Sequence, residues 1–349
     1  MKTIKVGVIG YGYWGPNLAR NFFDLPSAEL IAIADLKEDR LQRAHSLYPE
    51  IRTTTNYNDL FNMDLDAVIV SVPPALHYSV AKQCLENGLH VLIEKPMTQS
   101  SEHAEELIRL AEAKGLVLMV GHTFVYNSAV EALKKFIDSG ELGDIYYIDT
   151  ARLNLGLFQR NSNVLWDLAP HDISILLYLL GQDPVSISAY GTPCVFDNIF
   201  DVAYLNLMFP NQIPAHIHVS WLDPCKVRRI TVVGSKKMIV FNDMENEQKL
   251  KIYDKGVDAP EYTDSYGEFH CNYRSGDIII PNIRITEPLR HECQHFVDSI
   301  INKTRPDSDG YNGLRVVKII EAAESSLRNH SSKETFTWET LNMPALRQM

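Results

Sequence analysis

Apolar and polar positions follow two rhythms along this chain, and the rhythm changes near Tyr126. Before that point, short and nearly continuous apolar runs occur at Ile4–Ile9, 30–34, 65–70, His90–Glu94 and 117–120. Stretches with helical spacing separate them, at 16–23, 36–48, 77–87 and Ser101–Lys114, while 57–61 reads as a short loop or helical turn. Strands that stay apolar throughout are buried on both faces. Their alternation with helices therefore predicts a parallel sheet covered on each side, the α/β class. Beyond residue 126 the spacing predicts a helix over 128–139, then strands at Ile145–Leu153, 185–190, Val202–Phe209, 214–221, 227–233 and 237–241. Gly234-Ser235 marks a hairpin between the last two. A helix ending near Leu180, with Gly181 as its cap, interrupts the series. Residues 254–288 are polar and read as an irregular loop over a cleft, and helices at 288–302 and 311–328 finish the second domain. The expectation is an α/β domain at 1–122 and an α+β domain at 123–349, the latter with a mostly antiparallel sheet.

The first thirty-five residues make the α/β reading specific. The opening strand ends in Gly10-Tyr11-Gly12-Tyr13-Trp14-Gly15, a G-x-G-x-x-G turn that enters a helix. The second strand stops on Asp35, twenty positions after the last of these glycines. Gly10 permits the tight turn, Gly12 lets backbone approach a pyrophosphate, and Gly15 lets helix and strand pack closely. The helix start then offers unpaired N–H groups and a positive dipole end to phosphates. Asp35 can accept both hydroxyls of an adenosine ribose, which favours NAD over NADP. Lys37 and Arg40 lie near enough to temper that preference.

Composition narrows the setting. At 349 residues the chain suits two domains, and 45% hydrophobic with 22% charged residues is ordinary for a globular protein. A net charge of −11 argues against a nucleic-acid partner or an anionic membrane surface. Cys84, Cys194, Cys225, Cys271 and Cys293 are scattered and odd in number, which suits a reducing cytoplasm and excludes a cysteine-based zinc site. With the chain entering a strand at once and no apolar run of ~18 residues, a cytoplasmic protein is expected.

Candidate chemistry lies at strand ends and on one helix. Ligands of a doubly wound sheet sit outside the carboxyl ends of its strands. The segments there are 10–15, 71–74, 94–96 and 121–123. Lys95 stands out, since it separates an apolar strand from a proline at the mouth of the cleft. Asp167 and His171 are four apart on a helix, so a carboxylate can orient an imidazole and raise its basicity. The plainer reading is that Asp167 caps that helix, helped by Pro170. His291-Glu292-Cys293-Gln294-His295 matches H-E-x-x-H, yet Leu289, Cys293, Phe296, Val297 and Ile300 form the core stripe and turn both histidines toward the solvated face. With no further ligand evident, no metal is expected there. His216 and His218 share one face of a strand, and two ligands are too few for a metal.

Taken together, Gly10–Gly15, Glu94-Lys95-Pro96, the Asp167–His171 pair and the closing helices around Gly310 and Gly313 resemble the Gfo/Idh/MocA oxidoreductase family over nearly the whole chain. The resemblance implies an N-terminal Rossmann domain, a C-terminal domain with a large open sheet, and hydride transfer between a nicotinamide and a sugar, inositol or nucleotide-sugar carbon. It assigns acid–base work to Lys95 and His171, with either taking the proton, and an orienting role to Asp167. Cofactor contacts are expected from Gly10, Gly12, Tyr13, Trp14, Gly15 and Asp35. Further ones come from Ser71, Pro73, His77, Glu94, Lys95, His122 and Trp166. Substrate contacts are expected from Lys95, Tyr126, Arg152, Asn154, Asp167 and His171. Phe124-Val125-Tyr126-Asn127 stands where the family often has an arginine-phenylalanine pair. Residues 163–171 and 152–156 are most similar to members that oxidise the C3 hydroxyl of UDP-linked amino sugars. A ketosugar reductase, an inositol or free-sugar dehydrogenase and a non-catalytic dinucleotide-binding regulator are the alternatives. The open sheet implies a homo-oligomer, a dimer or tetramer, because an exposed apolar sheet face is an association surface.

Overall fold

The computed structural model describes residues 3–156, 158, 160, 162–258 and 272–338. They form two compact units, one from residues 1–126 and 286–321 and the other from 127–285 with the chain from 322 onward.

The first unit begins β1 (Ile4–Ile9), α1 (Gly15–Asp24), β2 (Ala28–Ala34), α2 (Glu38–Leu47) and β3 (Arg52–Thr54). It continues β4 (Ala67–Val70), α3 (Pro74–Glu86), β5 (His90–Glu94), α4 (Ser101–Lys114) and β6 (Leu118–Gly121). All six strands are parallel, in the order β3-β2-β1-β4-β5-β6. Burial explains the arrangement, since Val6, Val8, Val68, Ile69, Val91 and Ile93 are fully buried, as strands covered on both faces require. The order reverses between β1 and β4, the switch point at which such sheets bind ligands. The short edge strand β3 is polar and half exposed, which is why the apolar pattern did not announce it.

The second unit begins with α5 (Ser128–Asp138), β7 (Ile145–Leu153) and α6 (Val164–Leu180). Strands β8 (Ser186–Thr192), β9 (Val202–Phe209), β10 (Ile213–Ser220), β11 (Val227–Gly234) and β12 (Met238–Asn242) follow, then β13 (Leu250–Asp258) and β14 (Asn272–Ile279). After α7 (Pro288–Asn302) and α8 (Gly310–Arg328), the short β15 (Glu334–Thr335) completes a nine-stranded sheet, β14-β13-β12-β11-β7-β10-β9-β8-β15. Only β10 and β7 pair in parallel there. One sheet face is buried through alternate residues such as Ala203, Leu205 and Leu207, with exposed Tyr204 and Met208 between them. This is the period of two of a half-buried antiparallel sheet.

Two expectations need correcting. Part of the stretch expected to be an irregular loop at 254–288 is the antiparallel pair β13 and β14, while 259–271 lies outside the described residues. β14 buries neither face, so it carries no apolar alternation to detect. The helices expected to close the second domain do not both belong to it, because α7 and residues 310–321 of α8 are in the first unit. The stripe on α7 announces a buried face without naming its partner. That partner includes α1, where Phe22 meets Phe296 edge-on at 6.3 Å, and Arg20 pairs with Glu287 at the start of α7.

Candidate active site

In the first unit the glycine turn joins β1 to α1 at the switch point. The main chain of Ser71 donates to the Ile9 carbonyl at 2.9 Å, and its hydroxyl donates to the Gly10 carbonyl at 2.7 Å. The three glycines are needed for different reasons. Gly10 has φ +97°, and a Cβ there would lie 2.6 Å from the Ser71 carbonyl oxygen. A Cβ on Gly15 would run into the Gly10 carbonyl oxygen. On Gly12 it would meet nothing nearer than the Arg40 guanidinium at 3.5 Å, so this is the cradle side. α1 starts with no capping side chain and no acid in its first turn, leaving N–H groups for an anion.

Asp35, only 8% exposed, ends β2. Its carboxylate accepts from the Tyr11 N–H at 2.6 Å and the Lys37 N–H at 2.9 Å, and Arg40 lies 3.1 Å away. A carboxylate has about four acceptor sites, so capacity remains for ribose hydroxyls. Arg40 adds the cation that a 2′-phosphate would require. Glycine cradle, uncapped helix and acid fit a dinucleotide, and the Asp35–Arg40 pair is compatible with NAD or NADP. Tyr13 and Trp14 are exposed beside the turn with their rings edge-on at 5.9 Å, and Pro73 is exposed at the start of α3.

Glu94 and Lys95 follow at the carboxyl end of β5, both half-buried, with the Lys95 N–H donating to Glu94 Oε2 at 3.2 Å. Desolvation pushes the Glu94 carboxyl up to about 7, partly offset by Lys95. Glu292, on α7 and 1% exposed, accepts from the Thr123 hydroxyl at 2.7 Å. Burial, then Glu94, drive its carboxyl well above the usual range. His122 is fully buried, and burial followed by Lys95 pushes it down to about 3. Burial thus favours the uncharged form of all three groups, His122, Glu292 and Glu94.

Several expected ligand contacts are engaged within the protein. Both ring nitrogens of His77 face main-chain carbonyls, Pro96 at 2.7 Å and Val72 at 2.8 Å, and burial lowers its basicity. His77 therefore ties two strand-end loops together. Tyr126 is buried as well, with its hydroxyl 3.0 Å from that of Ser308 and its ring against His295. The histidines of H-E-x-x-H are half-buried and not solvated as expected. The Asp307 N–H donates to His295 Nε2 at 3.2 Å, and the buried member of the motif is Glu292. Among the described residues no group of three or more His, Cys, Asp or Glu could hold a metal.

In the second unit α6 carries the Asp167–His171 pair. Its N-cap is Asn163, whose side chain accepts from the N–H groups of Leu165 at 3.0 Å and Trp166 at 3.3 Å. Asp167 is therefore not the cap, and Pro170 lies inside the helix. Both Asp167 and His171 are half-buried on one face, and Asp167 Oδ2 accepts from the Trp221 indole at 2.9 Å. Nothing in the sequence spacing marked Trp221. The signal available was chemical: a tryptophan ending a buried strand needs an acceptor for its N–H. Arg152, expected to meet substrate, is buried in an ion pair with Asp172 at 2.6 Å. Trp166, expected to meet cofactor, donates its indole N–H to Glu324 at 3.0 Å. Asn154 is half-buried just beyond β7, its main chain donating to Ser220 at 3.2 Å. His216 bonds Asn206 at 2.9 Å, and His218 stacks on Tyr204 at 4.3 Å.

Comparison with known proteins extends this geometry. Residues 4–122 match the oxidoreductase family with an NAD-binding Rossmann fold, and 130–240 match the GFO/IDH/MocA C-terminal domain. A UDP-N-acetylglucosamine 3-dehydrogenase of Acidithiobacillus ferrooxidans is 28% identical over 261 residues, 74% of this chain and 79% of that protein. Its solved structure superposes with a TM-score of 0.79 at 25% identity, covering 94% of this chain and 99% of that one. A scyllo-inositol 2-dehydrogenase (NAD(+)) of Bacillus subtilis is 25% identical over 341 residues, 93% and 94% of the two chains. An uncharacterized oxidoreductase of Schizosaccharomyces pombe is 31% identical over 369 residues, 95% and 99%. Sheet order, glycine cradle and both matched regions agree, and the chain is an NAD(P)-dependent dehydrogenase of the Gfo/Idh/MocA oxidoreductase family.

Proposed function

We propose that this enzyme oxidises the C3 hydroxyl of a UDP-N-acetylglucosamine-like nucleotide sugar to a 3-keto sugar, with NAD as the oxidant. The bound nicotinamide supplies the hydride acceptor. Of the chain's own groups, Lys95 or His171 takes the hydroxyl proton, and Asp167 orients substrate or imidazole. The observation that carries the reading is Lys95 at the carboxyl end of β5, beside Glu94 and one strand from the switch point. Likeness to the Acidithiobacillus enzyme over 261 residues supports the nucleotide-sugar class. Likeness to the Bacillus scyllo-inositol enzyme supports a second reading, oxidation of an inositol or free sugar at the same groups.

In this reading residues 1–122 bind cofactor, braced by α7, and 123–349 supply the substrate and association surfaces. Exposed Tyr147, Tyr190, Tyr204 and Met208 on the nine-stranded sheet support a homo-oligomer formed through it. The four described cysteines are free thiols, in keeping with a reducing cytoplasm. NAD should bind at least ~10-fold more tightly than NADP, about 1.4 kcal/mol, and Asp35→Ser should narrow that gap. Equal affinities in the unmodified protein would contradict the NAD assignment. Incubation with NAD and UDP-N-acetylglucosamine or scyllo-inositol, followed by mass analysis of the sugar, tests the substrate. A product two hydrogens lighter from the nucleotide sugar is expected. Reaction of the inositol alone would select the second reading.

A further inference from the structure

We propose that Trp221 is the positioning residue that fixes the carboxylate of Asp167, with Gly156 providing the space that lets it do so. The proposal rests on the reading of Asp167 and His171 as reaction groups.

Trp221 is fully buried directly after β10, and its indole N–H donates to Asp167 Oδ2 at 2.9 Å. A buried indole must have an acceptor, and an ionised one makes the stronger bond. The ring is held from several sides. The Trp221 main-chain N–H donates to the Asp201 carbonyl at 2.9 Å, and the Trp221 carbonyl accepts from the Gly156 N–H at 3.0 Å. Phe158 packs edge-on at 5.6 Å. A Cβ at position 156 would lie 2.7 Å from the indole Cδ1, so any other residue there pushes against the ring.

Asp167 does not cap α6. Asn163 caps the helix in its place. The charged groups around this turn have their own partners. Asp172 pairs with Arg152, Glu324 accepts from Asn163, Trp166 and Arg328, and Asp201 Oδ2 accepts from the N–H groups of Cys194 and Val195. His171 is the titratable neighbour one turn along the same helix face. A rigid donor on one oxygen of Asp167 thus limits the rotation of the carboxylate and draws charge toward Trp221. The bond thereby sets how the carboxylate is presented to His171 or to a substrate hydroxyl.

The test needs no substrate at first. Ring resonances of His171 are followed by NMR against pH in the full chain, in wild type, Trp221→Phe, Asp167→Asn and the double variant. Phenylalanine keeps the packing and removes the donor. More negative charge is then available to imidazolium, so the His171 midpoint should rise by about half a unit, ~3-fold in the proton equilibrium. Asp167→Asn should lower it, and in that background Trp221→Phe should have no effect. An unmoved midpoint in Trp221→Phe, or an equal shift in both backgrounds, would overturn the proposal. If Trp221→Phe does not fold, exchange of the Trp221 indole proton is compared between wild type and Asp167→Asn. Faster exchange in the variant is expected, and equal rates overturn the bond's role. With UDP-N-acetylglucosamine as probe, Trp221→Phe should lose ~10-fold in kcat with KM little changed. Full activity in Asp167→Asn would overturn the functional reading and this proposal together. Loss there with Trp221→Phe unaffected would overturn this proposal alone.

Discussion

Gly12 and Gly15 look equivalent in the G-x-G-x-x-G pattern, but only Gly15 is tightly enclosed by the fold. Gly15→Ala would force a Cβ into the Gly10 carbonyl, whereas Gly12→Ala meets only the flexible end of Arg40. Gly15→Ala should therefore lower the melting temperature of the cofactor-free protein. Gly12→Ala should melt as wild type and lose at least ~10-fold in NAD affinity, about 1.4 kcal/mol; calorimetry and titration separate the two. Buried acids give a second prediction at this scale. Glu94 and Glu292 titrate above their ordinary range, so between about pH 4.5 and 7 the folded state binds more protons than the unfolded chain. Stability from these groups is then full below the ordinary value and falls as pH rises through the folded values. Glu292→Gln should gain melting temperature relative to wild type as pH rises from 5 to 8, and a pH-independent difference would contradict the burial argument. His122 works the opposite way, its neutral form costing stability as pH falls below 6.5. Residue identities at the strand ends were legible in the sequence because the glycine turn and Asp35 are defined by local spacing. Spacing says nothing of whether a polar atom is already bonded inside the fold, as those of His77, Tyr126 and Arg152 are.

At the scale of elements, α6 shows what pattern can and cannot supply. Its end and its Gly181 cap were readable, and the helix ends at Leu180 with φ +61° at that glycine. The choice of Asn163 over Asp167 as N-cap was not, since both residue types suit the position. Asn163→Ala should cost about 1 kcal/mol in chemical denaturation. The Arg152–Asp172 pair joins β7 to α6 where both side chains are buried. Removing one partner leaves a buried charge, so Arg152→Ala should cost about 3–5 kcal/mol, far beyond what loss of a substrate contact would cause. Unchanged stability would return Arg152 to the substrate side. β14 escaped notice because an element that buries no face has no apolar period to read.

For the whole molecule, both sheets were foreshadowed by the change of rhythm at Tyr126, which coincides with the end of the first unit's N-terminal segment. Return of the chain to the first unit at residue 286 was not, because an amphipathic helix specifies that it docks and not where. The account's central claim is that the groups at the strand ends carry sugar oxidoreduction, with Lys95 at its centre. Its most direct test is the rate of nicotinamide reduction by NAD-saturated wild type and Lys95→Ala on UDP-N-acetylglucosamine, with NAD affinity measured in parallel. Wild type should turn over, and Lys95→Ala should lose ~10²-fold or more while binding NAD almost as before. Normal turnover by a folded Lys95→Ala variant would contradict the account.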